Sequence, residues 1–229
     1  MKQLETSLRA FIDIVGMYPV KSHYIKSEGT LYYNEKGIPL NFDNRFSISS
    51  ELEFFYKHCE IDCWNRTDGL KGYGKLIYSL GVSDLELFSH ENLVEIHDGW
   101  SWSLPSEYNN NEFTEFSHWD SNYLIIALLD TSDAIVVDTG KKNSPVMAII
   151  HGGGDFLLIS DTFSDFLDYI SITIKIVNEN YYGRISEDGE DGEYGAGNLY
   201  EFVDKLKKEL SKETDKIELI DNFIKFFYG

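Results

Sequence analysis

A chain of 229 residues, 42% hydrophobic and 15% aromatic, has ample material for a core, which excludes wholesale disorder. Its 39 acidic residues against 20 lysines and arginines leave a net charge of −19, a surface that repels nucleic acid and anionic membranes and steers a basic partner. No apolar run approaches the roughly 18–20 residues of a membrane span, the first residues are charged and amphipathic with no signal-peptide core, and Cys59 and Cys63 make no disulfide framework, so a cytoplasmic location is expected.

Leu4, Leu8, Phe11, Ile12 and Val15 share one face of a helix over 2–15, with Gly16 as its stop. Residues 20–33 alternate loosely about Ser27-Glu28-Gly29, which predicts a hairpin. Ser50-Glu51-Leu52-Glu53 has the capping-box pattern, in which serine and glutamate each satisfy one free amide of a helix start. Leu52, Phe55, Tyr56 and Cys59 then mark its buried face. Residues 62–74 are polar and read as a loop, and 76–80 as a short strand. Ser83-Asp84-Leu85-Glu86 repeats the capping box and predicts a helix through Ile96 with a break near His90. Asp98-Gly99-Trp100-Ser101-Trp102 ends it, and residues 105–115 form an asparagine-rich loop.

The centre of the chain is more regular. The apolar runs 123–129 and 134–137 flank Asp-Thr-Ser-Asp, and 146–150 and 156–159 flank His151-Gly152-Gly153-Gly154-Asp155. Short β-branched runs bounded by turn residues predict two hairpins. Ser160-Asp161-Thr162 supplies helix-capping side chains, after which Phe163, Phe166, Leu167, Ile170, Ile174 and Val177 recur at helical spacing. Residues 187–193 hold five acids and two glycines and read as a solvated linker. Asn198 opens a helix with Leu199, Phe202, Val203, Leu206 and Leu210 on one side. Thr214-Asp215 opens a last helix faced by Ile217, Ile220, Phe223, Ile224 and Phe227.

Trp119, Ile125, Ile126, Asp133, Ile135, Val137, Asp138, Thr139, Pro145, Val146, Asp161, Phe163, Phe166 and Leu167 form a pattern that resembles the SUKH superfamily. That superfamily comprises bacterial toxin-immunity proteins and a related fungal cell-wall-synthesis regulator. The resemblance spans residues 45–180. It departs where the family has Gly-Gly-Gly-Asp before the second strand and this chain has Asp130-Thr-Ser-Asp133. The expected fold is α+β: a mostly antiparallel sheet of about four to six strands with helices packed on it. An N-terminal helix and hairpin extension (1–45) precedes the SUKH-like domain (46–183), and an acidic linker (184–197) and a C-terminal helical pair (198–229) follow.

No catalytic constellation emerges. The glycine run 152–154 lacks the lysine and helix of a phosphate loop. His97, His118 and His151, with Asp98, Asp120 and Asp155, lack the spacing that places two metal ligands on one face. Cys59 and Cys63, one helical turn apart, read as buried thiols. Asn65-Arg66-Thr67 matches a glycosylation sequon, read as chance in a chain without an export signal. Neither metal nor cofactor is expected. The resemblance implies a non-enzymatic immunity protein that binds a cognate toxin, and the acidic balance adds that the toxin is basic, as a nuclease is. The expected contact residues are Asp130, Asp133, His151 and Asp155 in the two turns, with Trp100 and Trp102 as aromatic anchors. A regulatory or scaffolding module, as in the fungal branch, is the alternative.

Overall fold

The apolar runs between residues 123 and 160 pair as antiparallel hairpins and make the centre of an α+β fold. The computed structural model describes residues 2–18, 29–63, 75–106, 112–117, 119–152, 154–186 and 197–229. In chain order these give α1 (Lys2–Met17), β1 (Gly29–Tyr33), α2 (Ser50–His58), β2 (Cys59–Cys63), β3 (Lys75–Ser79) and β4 (Asp84–Phe88). A 3-10 turn (His90–Asn92) then runs into α3 (Leu93–Ile96), followed by β5 (Trp102–Ser103) and β6 (Thr114–Glu115). The strands β7 (Tyr123–Leu129), β8 (Ala134–Asp138), β9 (Val146–Ile149) and β10 (Leu157–Ser160) lead to α4 (Phe163–Tyr181). Last come β11 (Ile185–Ser186), β12 (Gly197–Asn198), α5 (Leu199–Leu210) and α6 (Ile217–Tyr228).

The main sheet has six strands in the order β10-β9-β8-β7-β4-β3, every neighbouring pair antiparallel. All residues of β8 and β9 are buried. Cross-strand partners share a face, so Ile125, Val136 and Met147 point one way while Leu124, Val137 and Val146 point the other. Both sets are inside, which is why these strands are continuous apolar runs and not alternating ones. α4 and α6 pack on β10, α3 on β7, and α1 on α4 and β1. One apolar cluster runs from Leu4 through the sheet to Phe227, so the segments before and after the sheet share its core. At the β10 edge, Asn222 of α6 donates its amide to the Leu158 carbonyl at 3.0 Å, covering part of a strand edge that would otherwise invite pairing.

Three local readings are corrected. Residues 84–88 are a strand, not a helix: Leu85 and Leu87 are buried between Asp84 and Glu86 with a period of two, and β3 and β7 supply partners on both sides. The apparent capping serine, Ser83, closes the β3–β4 turn instead, its carbonyl accepting from the Leu80 amide at 2.8 Å. Gly81 there has φ +98°, and a side chain would strike Ile185. At α2 the cap is Ser49, whose hydroxyl accepts from the Leu52 amide at 3.2 Å, not Ser50. Of the hairpin expected over 20–33, residues 19–28 lie outside the described residues; the described arm, β1, pairs with β2, Tyr33 opposite Cys59. Cys59 and Cys63 therefore mark the two ends of a strand, roughly 13 Å apart along it, and are not on one helical turn.

The helices otherwise follow the apolar spacing. The five face residues of α1 are buried, and the helix continues past Gly16 to Met17. Thr162 caps α4 through the Asp165 amide at 3.0 Å, and Asn198 caps α5 through the Tyr200 amide at 2.8 Å. α6 begins at Ile217 without a side-chain cap, and Ile217 itself is exposed. Residues 187–196 lie outside the described residues, as do the sequon and His118; the flanks β11 and β12 pair in parallel, and the Ile185 amide donates to the Gly81 carbonyl.

Where α1 meets α4, the Ser7 hydroxyl lies 2.9 Å from both the Ser164 hydroxyl and an Asp168 carboxylate oxygen. Burial pushes the Asp168 carboxyl up to about 6, the Ser7 hydrogen bond opposing and Asp165 and Glu213 adding to it. The folded protein thus holds a proton that the unfolded chain releases near pH 4, and stability falls as pH rises through that window to about 6. Asp168→Asn keeps an acceptor for Ser7 and removes the charge. Thermal melts are expected to place it above the wild type at pH 8 and level with it below pH 4.

Candidate functional site

The β3–β4, β7–β8 and β9–β10 turns all lie at the same end of the sheet, a consequence of antiparallel order. Leu129 accepts from the Ser132 amide and donates to the Asp133 carbonyl, with Ser132 at φ +68°. The Asp133 carboxylate then ties two turns together, accepting from the His151 amide at 2.8 Å and from the Thr131 hydroxyl at 2.7 Å. Asp130 is exposed, and its amide donates to the Asp84 carbonyl at 3.0 Å. Asp155 is also exposed. The β9–β10 connection, expected as a tight reversal, is a longer loop in which Gly152 and Gly154 take positive φ and Gly153 lies outside the described residues.

Asp84 belongs to this end, and the capping-box reading hid it; the period-two burial of 84–88 was the available signal. Burial pushes its carboxyl up and the neighbouring Asp130 charge adds to that, against a hydrogen bond from Ser79. Among the described residues no lysine or arginine forms an ion pair with Asp84, Asp130, Asp133 or Asp155. The turn end is therefore crowded with like charge, a condition that an approaching cation relieves.

The aromatic residues divide. Trp100 is half-buried and meets His151 at 5.3 Å and Trp119 at 6.2 Å between ring centroids, which joins it to the turn end. Trp102 is only 5% exposed. Its indole N–H donates to the Val94 carbonyl at 3.2 Å, and it stacks on His97 at 5.3 Å, so it supplies a wall and not a protruding anchor. Trp102, Phe46, Trp119 and Tyr123 line a cleft of about 80 Å³ with Arg45 and Glu115. Arg45 lies 3.7 Å from the Phe113 ring and 4.8 Å from Trp102. A two-point pair with Asp43, both distances 2.7 Å, neutralises it and holds the Asp43 carboxyl down at about 2. Nothing in the local spacing of Asp43, Arg45, Phe46 and Glu115 marked them; chain segments far apart in sequence bring them together.

His97 forms the back of this cleft at 1% exposure. Its Nδ1 sits 2.6 Å from the Leu93 carbonyl, and its Nε2 accepts from the Ile125 amide at 3.0 Å. β4 pairs with β7 only over residues 127–129, so the imidazole takes the β7 amide that β4 leaves open. With both nitrogens engaged, His97 is not available as a metal ligand, and among the described residues no group of three histidine, cysteine or acidic side chains could hold a metal. Cys59 is buried, which raises its thiol out of the reactive range. No described helix is long and apolar enough to cross a membrane.

No family model, curated protein or solved structure matches the chain.

Burial pulls His97 down to about 4, against the Leu93 and Tyr123 carbonyls, which favour the charged ring. A neutral native imidazole contributes stability above about pH 6.5 that is lost as pH falls through about 4, on the order of 3 kcal/mol. This opposes Asp168 in the same window, so the measurement belongs in the Asp168→Asn protein. Urea melts between pH 4 and 8 are expected to show the acid loss there. His97→Phe should flatten it, at a cost of about 1–3 kcal/mol for the orphaned Ile125 amide.

Proposed function

We propose that the protein is a non-enzymatic immunity protein of the cytoplasm that binds a cognate toxin with a basic surface, such as a nuclease, and blocks it. The observation that carries this reading is the turn end of the sheet. Asp84, Asp130, Asp133 and Asp155 are gathered there on adjoining hairpins with no described cation beside them. The resemblance of residues 119–167 to the SUKH immunity proteins supports it. Charge distribution supports it too. Residues 199–229 hold seven acids and six lysines, so nearly all of the −19 belongs to the chain before them.

The mechanism is occlusion. Carboxylates take the places that phosphates occupy in a nuclease site, and the field around them speeds encounter. The Asp133–His151 bond fixes the two turns against each other before binding, so little ordering entropy is spent at the interface. Asp133 holds the turns, while Asp130 and Asp155, exposed and uncommitted, make the contact.

Binding kinetics against the toxin domain encoded beside this gene test the proposal. Association is expected to slow as salt rises to physiological strength, over a Debye length of about 8–10 Å. Asp130→Asn and Asp155→Asn should speed dissociation, by roughly 2–5 kcal/mol where the carboxylate meets a buried cation. Glu218→Gln, in the nearly neutral C-terminal pair, should change neither rate. Asp133→Asn should also lower the melting temperature, because the His151 amide loses its acceptor. An association rate indifferent to salt rejects the electrostatic mechanism, and absence of binding favours the regulatory reading.

A further inference from the structure

We infer that the cleft between Phe46, Trp119, Tyr123 and Glu115 is a receptor for one arginine side chain of a basic protein partner. The inference rests on the partner being basic, as proposed above, and assigns the point at which that partner is anchored.

The cleft offers aromatic faces and a carboxylate. Its indole N–H groups are spent internally: Trp102 donates to the Val94 carbonyl and Trp119 to the Tyr123 carbonyl, the latter at 3.0 Å. The indoles therefore present π surface to an occupant and not donors. Ser101, also in the lining, is buried with its hydroxyl 3.4 Å from the His97 carbonyl. Buried His97 stays neutral at physiological pH and adds no charge. Glu115 is exposed on the short strand β6, held opposite Trp102 by the β5–β6 pairing. Aromatic faces with an adjacent carboxylate attract cations, and a planar guanidinium stacks best on such rings.

Arg45 shows the chemistry in place, its guanidinium against Trp102 of the cleft and against Phe113 outside its lining. Because Asp43 neutralises it, the Asp43–Arg45–Glu115 group keeps one negative charge for an incoming cation. A volume of about 80 Å³ leaves room for one guanidinium head group. Trp100 bridges Trp119 to His151, so the cleft adjoins the acidic turns. A basic surface meeting those turns would bring side chains within reach of both.

The test titrates the full chain, labelled with 15N, with acetyl-arginine amide and with its neutral isostere acetyl-citrulline amide. The arginine compound is expected to shift the Trp102 and Trp119 indole resonances saturably and the citrulline compound to leave them in place. Glu115→Gln, at an exposed position, should weaken the arginine response roughly three- to tenfold. Equal responses to the two compounds, or none, overturn the inference. The toxin domain separates this from the functional proposal. If it binds wild type, Glu115→Gln and Trp119→Leu equally well, with all three folded by melting, the receptor falls and the immunity reading stands. If arginine amide binds as expected and the toxin domain does not bind at all, the receptor stands and the immunity reading falls.

Discussion

The structure depends on a strand buried along its whole length. β8 carries Ala134, Ile135, Val136, Val137 and Asp138 with paired strands on both sides and apolar cover on both faces. Five residues without one exposed position give no polar alternation to fix the register, so the surrounding layers must supply it. The bulge between Ile125 and Ala127 adjusts β7 to this strand. Everything else can be understood as covering β8 and β7: helices on the core, the Trp119–Tyr123–Phe156 ring cluster beside β7, and α6 along β10.

A sheet with unequal strands leaves unpaired groups, and here buried polar side chains satisfy them. His97 takes the Ile125 amide beyond the end of β4 and thereby fixes its own tautomer, with Nδ1 donating to Leu93. The loop between β8 and β9 does comparable work at the end of the sheet opposite the acidic turns. Asn143 and Ser144 both take positive φ, the Asn143 carbonyl accepts from the Phe163 amide at the start of α4, and Ser144 donates to Ser49, the cap of α2. One strained pair of residues thus ties the N-termini of two helices, whose Phe55 and Phe163 rings meet at 5.1 Å. The strain is held by these bonds to the two helix starts.

The residues that carry the SUKH resemblance are mostly of this structural kind. Ile125, Ile126, Ile135, Val137, Val146, Phe163, Phe166 and Leu167 are core residues. Asp138 is buried, pairs with Lys141 at 3.0 Å and accepts from the Gly140 amide, while Thr139 donates to the Asn122 carbonyl. These residues specify a sheet and its corner. The residues that would meet a partner lie in the turns and in the cleft beside them, where loop identity can vary without cost to the core. In the immunity proposal the contact is carried by carboxylates and rings placed at the margins of the sheet, and not by these core residues.

The sequence by itself determined the strands β7 to β10, the helices α1, α4 and α5 with their buried faces, and the acidic character of the surface. Each of these is written in local periodicity or composition: runs bounded by turn residues, apolar positions at helical spacing, 39 acids against 20 bases. Turn residues placed Asp130, Asp133, His151 and Asp155 in loops, but only antiparallel order put those loops at one end, and only the Asp133–His151 bond joined them. Residues 83–88 fit a helix cap and a strand equally well; pairing with β3 and β7 decided it, because those partners lie outside any local window. Trp102 looked like an exposed anchor beside glycine and serine, and packing against distant Phe46 and nearby His97 made it a wall. The cleft itself draws on residues 45, 46, 97, 102, 115, 119 and 123 from separate loops and strands. No short-range pattern encodes such a meeting, since it exists only once the chain has closed around β8.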